Sequence, residues 1–322
     1  MLFSLTRIFQ TSLIWFFLLR LTLCATSKAP VSGLYGLSEN GSLIRSLDGA
    51  NWTTLGSPLP YSQAQQLSCI DASRAIFYMI GYDMSSKDPV LVGVSLEDGQ
   101  VITHVPLPFN DQTYIGIGQY LTPHTPSGSL FVGGQDSFKN HVIGLVDPQS
   151  GKFELLANLS SSFRDVFGGT SVFIPETNEL WFELDLDIMI LNLTSRIVTI
   201  IPVNESFSIL GMNYDNAEKK IIGLAGGPGQ GVRTIVSLDP IARKIIITGS
   251  VPAFANQMGG MTAYNDKQKT IFWIAQKTNA PTNSPWFLVQ NQVKGGKVVT
   301  SESICSSSSG GLCPWSIHYY NN

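Results

Sequence analysis

The chain has 322 residues, only 13% of them charged, and a net charge of -3. With so few charges and no basic stripe it has nothing to hold a phosphate backbone, so nucleic acid is excluded as a partner. Its 30 glycines and 17 prolines suit many short strands joined by turns, and the length fits one closed all-β ring without a second domain.

The N-terminus has the order of a secretory signal: Arg7, an apolar run from Leu13 to Leu19, then the small residues Thr22 and Cys24. Residues 1–24 are therefore expected to be a signal peptide, with cleavage after Cys24. Arg20 shortens the apolar run below the ~20 residues a helical span needs, so no stable membrane span is expected after cleavage. An uncleaved signal anchor is the alternative. Residues 25–32 read as a short linker and 33–322 as a single repeat domain.

Five N-x-Ser/Thr sequons follow, at Asn40, Asn51, Asn158, Asn192 and Asn204. Each alone is a weak signal, but together with an export signal they agree on a glycosylated, secreted or extracellular/luminal protein. Three cysteines lie beyond the signal. Cys305 and Cys313 flank a Ser- and Gly-rich loop that a disulfide would close in an oxidising compartment, leaving Cys69 as a buried small hydrophobe. The competing pair is Cys69 with Cys313.

From Gly41 onward a unit of about fifteen residues, apolar strand, polar turn, apolar strand, recurs at a period of roughly 46 to 53 residues. Its copies begin at Gly41 (GSLIRSLDGANWTTL), Val90 (VLVGVSLEDGQVITHV), Val142 (VIGLVDPQSGKFELL), Ile188 (IMILNLTSRIVTII), Thr234 (TIVSLDPIARKIIIT) and Phe287 (FLVQNQVKGGKVVTS). Between them stand hairpins of a short strand, a turn and an intensely apolar strand, such as TSVFIPETNELWFEL from Thr170 and GMTAYNDKQKTIFWIA from Gly260. Each period therefore supplies four strands, A to D, the unit of a propeller blade.

Full units run from about Gln65 to Ile304 and number five. The N-terminal segment has only the later strands (GLYGLS, SLIRSL, NWTTL), and the C-terminal LCPWSIHYYNN reads as a lone strand A. Joined, they make a sixth blade and leave no open edge. The expected fold is an all-β, six-bladed β-propeller whose ring is closed by the two ends of the chain. Glycine opens most A strands, as at Gly118, Gly211 and Gly260, where blades converge on the axis. Phe77, Phe131, Trp181 and Trp273 of the B strands are expected to fill the space between blades.

At the level of the repeat, VSLEDGQVI and LVDPQSGKFEL resemble the extracellular propellers of the TolB-like, YVTN and quinoprotein-type superfamily. The resemblance covers residues 33–322 and implies the fold, without an active-site motif.

Chemistry is less legible. GGPGQG (226–231) imitates a phosphate loop but lacks the following Lys-Ser/Thr and opens no helix, so it reads as a hairpin loop between strands B and C. Glu183, Asp185 and Asp187 alternate at the end of a strand B and would share one face, a set able to hold Ca2+; a solvated, self-repelling hairpin tip is the commoner arrangement. His104, His124, His141 and His318 show no ligand spacing, and only His318 lies on a channel-lining strand. No G-x-S-x-G elbow is present. The inner strands offer Asp71, Gln119, Asn213 and His318, a poor match to the paired acids of a metal-dependent lactonase. Gly227, Gln230, Asn279 and Trp286, on the two B–C loops without a sequon, are the candidate binding residues; Trp286 reads either as a contact residue or as the first buried residue of its strand. The functional expectation is a binding module for a protein or glycan ligand with no cofactor. A propeller hydrolase or lactonase working at the central channel is the alternative, to be separated by what lines that channel.

Overall fold

The computed structural model describes residues 29–38, 40–109, 114–159, 170–184, 187–201, 208–227, 231–277, 285–305 and 314–321. The signal segment 1–24, Asp185, Asn204, Gln230, Asn279 and Cys313 lie outside the described residues. Among the described residues no helix is long and apolar enough to cross a membrane.

Among the described residues the regular structure is strand, and the named strands pair antiparallel. The chain opens with β1 (Gly33–Ser38), β2 (Leu43–Ser46) and β3 (Trp52–Leu55), strands B to D of blade I. Blade II is β4 (Tyr61–Asp71), β5 (Ile76–Asp83), β6 (Pro89–Ser95) and β7 (Val101–Pro106). Blade III is β8 (Tyr114–His124), β9 (Ser129–Asp136), β10 (His141–Val146) and β11 (Phe153–Leu159). Blade IV is β12 (Ser171–Ile174), β13 (Glu179–Leu184), β14 (Asp187–Asn192) and β15 (Val198–Ile201). Blades V and VI are built from β16 (Ser208–Asp215), β17 (Lys220–Gly227), β18 (Gly231–Asp239), β19 (Lys244–Asn265), β20 (Thr270–Lys277), β21 (Trp286–Gln292) and β22 (Val298–Cys305). Last comes β23 (Pro314–Tyr320), which pairs with β1 from Gly33↔Tyr320 to Ser38↔Pro314 and becomes strand A of blade I. The expected six-bladed ring, closed by both ends of the chain, is the structure.

One boundary differs from expectation. The repeat implies a break between strand D of blade V and strand A of blade VI, yet β19 runs unbroken through both and joins the blades into a seven-stranded sheet. Near Phe254, which faces Val232 of β18 and Lys277 of β20, the strand passes from one partner to the other, and the register shifts that follow at Ala255/Gln257 and Gln257/Thr262 match those in the A strands β4 and β8.

The period-2 alternation of the strands explains why the blades cannot stand alone. Phe77 and Met79 of β5 point into a cluster shared with Tyr35, Leu43 and Tyr320 of blade I. Their neighbours Tyr78 and Ile80 point the other way, into a cluster with Leu121, Leu130 and Val132 of blade III. Each of the six apolar clusters spans a junction between consecutive blades, including VI with I. The B-strand residues Phe77, Phe131, Trp181 and Trp273 are wholly buried there, as expected. Both indole N–H groups are satisfied: Trp181 Nε1 donates to Glu179 Oε2 at 3.1 Å and Trp273 Nε1 to Asn291 Oδ1 at 2.7 Å.

The A–B turns after β4, β16 and β19 share one cap, and all five turns end alike. An Asp or Asn at the strand end accepts the amides two and three residues on, as Asp71, Asp215 and Asn265 do, and the last turn residue is left-handed in Ala75, Gly128, Asn178, Lys219 and Lys269. Non-glycine residues in this conformation are strained. Exposed Lys139, in a B–C turn with φ 63, is the simplest place to measure this. Lys139→Gly should stabilise the fold by about 1 kcal/mol in urea unfolding, and a loss of stability would show that the turn is not strained.

Candidate functional site

The six innermost strands enclose an axial cavity of about 480 Å³. Its lining reaches the turn residues Ala72, Thr125, Pro175, Asn216 and Asp266, so it lies at the A–B-turn end of the axis.

The wall is ordered. Counting back from the last residue before the A–B turn (Asp71, His124, Ile174, Asp215, Asn265 and, in blade I, Tyr320), odd blades carry a polar residue two positions back: His318, Thr122 and Asn213. Even blades carry it three positions back: Ser68, Ser171 and Thr262. Successive side chains on a strand point to opposite sides, so these residues meet across junctions I/II, III/IV and V/VI. Ser68 Oγ lies 2.9 Å from His318 Nε2, Thr122 Oγ1 is hydrogen-bonded to Ser171 Oγ, and Asn213 Nδ2 donates to Thr262 Oγ1 at 3.1 Å. At the other three junctions the same two positions are apolar: Cys69 with Leu121, Val172 with Met212, and Ala263 with Ile317 share clusters. At these two positions the axis therefore alternates polar and apolar junctions.

Gly211 makes one of these ties possible. Its φ is +69, and a Cβ there would come within 1.8 Å of Thr262 Oγ1, which explains the glycine at the start of this A strand. Thr170 adds a further junction contact, accepting from the Met212 amide at 2.7 Å.

Of the four inner residues singled out from sequence, Asn213 and His318 line the cavity. Asp71 turns into its own A–B turn, bonding Ser73 and Arg74, and the side chain of Gln119 lies outside the described residues. Sequence reading missed Ser68, Thr122, Ser171 and Thr262; the signal was present as the one-residue phase shift between odd and even blades.

Glu183 and Asp187 stand on neighbouring strands, β13 and β14, paired as Glu183↔Ile188 and Leu184↔Asp187. They do not continue one strand face. Glu183 is buried and accepts the Ile209 amide at 3.2 Å, so its carboxylate already serves the IV/V junction. Among the described residues no group of three or more His, Cys, Asp or Glu is placed to hold a metal ion. Gly227 ends β17, paired with Gly231. Trp286 opens β21 opposite Cys305, half-buried against the cluster of Leu34, Phe272 and Ile317. Cys69 is a buried free thiol whose pKa burial pushes well up. Asn40 and Asn158 are exposed on the B–C/D–A side of the ring, whereas Asn51 and Asn192 sit in C–D turns on the opposite side.

Burial pushes His318 down from 6.5 to about 4, and burial lowers His124 as well. The unfolded chain then takes up a proton near pH 6.5 that the folded chain refuses. Stability is full above that pH and is lost as pH falls from about 6.5 towards 4. His318→Gln should flatten part of this slope, leaving the share of His124. A profile identical to the parent's, measured by urea midpoint at each pH, would refute the assignment.

No family model and no curated protein matches the sequence. Solved structures do match in fold. A chain of a nidogen/laminin complex gives a TM-score of 0.63 at 10% identity, over 90% of this chain and 99% of that one. A TolB-type protein from Agrobacterium tumefaciens gives 0.56 at 10% identity, with the same coverage, 90% and 99%. An oligogalacturonate lyase from Vibrio parahaemolyticus gives 0.54 at 13% identity, over 88% and 81%. The set includes a chain from a protein–protein complex and an enzyme, and at these identities the likeness is one of fold.

Proposed function

We propose that this chain is an exported, glycosylated propeller that binds a partner or ligand without transforming it. The observation that carries this reading is the axial wall, where the hydroxyl, amide and imidazole groups that would do chemistry are engaged with one another across three blade junctions. Export and glycosylation rest on the N-terminal 1–24 segment and the five sequons. Protein or glycan contacts are assigned to the B–C loops that hold Gly227, Gln230, Asn279 and Trp286, which carry no sequon.

The enzyme reading has one specific observation in its favour. Ser68 Oγ and His318 Nε2 are separated as a nucleophile and its base would be. Two facts weigh against it. Thr122 with Ser171 and Asn213 with Thr262 occupy the equivalent places in the other blade pairs, so the contact is a repeated structural tie. Burial is also what lowers the His318 pKa, and among the described residues no carboxylate is hydrogen-bonded to the ring to orient it or stabilise its cation.

The full chain expressed in secreting cells tests both readings. Expected are release into the medium, a mobility shift on enzymatic deglycosylation, and no hydrolysis of an ester and lactone panel above background, with or without added divalent metal. Hydrolysis that disappears in Ser68→Ala would replace the binding reading with the enzyme. Retention in the cell without a shift would remove export and glycosylation.

A further inference from the structure

The charge of the axial cavity restricts what it can hold. Among the described residues no Lys or Arg lines it, and the one carboxylate that does, Asp266, already accepts a hydrogen bond from Asn321 Nδ2 at 2.8 Å. A phosphate or uronate entering would lose its water without gaining a cation, a cost of several kcal/mol. The wall instead offers neutral donors and acceptors beside fixed aromatic surface. Asn213 stands on one side, its Nδ2 already donating to Gly211 O and Thr262 Oγ1, so that it can offer a ligand only an acceptor, and exposed Asn216 stands at the mouth with its amide. Tyr319 lines the cavity with its ring stacked on Phe272 at 5.7 Å and 10°, and the Tyr214 hydroxyl is held by Glu176. A pyranose presents that combination in reverse, a C–H face for an aromatic ring and a rim of hydroxyls for amides. The volume of about 480 Å³ also falls in the ordinary range of small-molecule sites.

We infer that the axial cavity binds a neutral saccharide, either a small sugar or the end of a glycan chain. This rests on the reading that the chain binds without converting. It adds a site on the A–B-turn side of the ring, away from the B–C loops.

Calorimetry on the full secreted chain tests it with glucose, galactose, mannose, N-acetylglucosamine and their β-linked dimers as probes. Galacturonic acid, glucose 6-phosphate and choline are the charged comparisons. At least one neutral sugar should bind with Kd of about 1 mM or tighter, and the acids should not. Asn216→Trp, at an exposed position in the mouth, should weaken the sugar by about tenfold or more with Tm unchanged. No neutral sugar binding, binding indifferent to Asn216→Trp, a preference for the acids, or choline binding lost in Asp266→Asn would each overturn the inference. Capture of a partner that persists in Asn216→Trp while no sugar binds would remove only the axial ligand, whereas loss of all binding would remove the binding reading too.

Discussion

Deletion of residues 312–322 is expected to abolish cooperative unfolding of the ring. The deletion takes away β23, whose pairing with β1 runs from Gly33↔Tyr320 to Ser38↔Pro314. Ile317 is fully buried in the VI/I cluster and Tyr320 nearly so in the I/II cluster, each contributing roughly 1.5–3 kcal/mol of burial. The tie from His318 to Ser68 goes as well. Together these losses reach the scale of the whole stability of a domain, about 5–15 kcal/mol. They also expose the backbone edge of β1 as a template for pairing with other chains. Denaturant unfolding followed by tryptophan fluorescence and far-UV circular dichroism should lose its single sharp transition, and the protein should aggregate. Adding a peptide of residues 312–322 should restore part of the transition. A truncated chain with the parent's midpoint and slope would show that β23 does not close the ring.

Closure was legible because it is a matter of counting. Five complete units and two complementary fragments admit one ring, and the fragments carry their own strand patterns (GLYGLS and WSIHYY). The inter-blade packing was legible for a similar reason: an apolar B strand such as IFYMI, with no polar alternation, must be buried on both faces. What escaped depends on relations between strands 49 residues apart, or 250 for Ser68 and His318. Nothing local at Ser68 says that it meets His318; that follows only once six A strands are set in register and their polar residues compared in phase. Trp286 was ambiguous because an aromatic at a loop–strand boundary has the same sequence whether it faces solvent or the next blade. The structure places it half in each. The continuity of β19 escaped because the repeat makes Gly260 the opening of a new A strand, whereas the backbone is already paired on both sides at Phe254.

The other large effect is expected at Asp215, whose carboxylate joins blades V and VI. Its side chain is 1% exposed. It accepts the Ala217 and Glu218 amides at 3.0 and 2.9 Å, the Tyr264 hydroxyl at 2.7 Å and Lys269 Nζ at 2.6 Å. Burial alone would raise its pKa, but the hydrogen bonds from Lys269, Glu218 and Tyr264 outweigh it and hold the carboxyl below its ordinary value. Asp215→Ala strands a buried hydroxyl and a half-buried ammonium in one step, so a loss of about 3–5 kcal/mol is expected. Lys269→Met should cost much less, since Lys269 is 33% exposed and the carboxylate keeps its other donors. The sign of the pH dependence follows from the lowered pKa. The contribution of Asp215 is complete above the unfolded value of about 3.9 and is lost as pH falls below it, a step that the alanine variant should lack. Urea midpoints for the parent, both single variants and the double variant, measured near neutrality and again below pH 4, provide the test. If Asp215→Ala and Lys269→Met cost the same and add independently, the carboxylate would not be the hub of this junction, and the V/VI seam would rest on the Trp273 cluster and the Asn213–Thr262 tie.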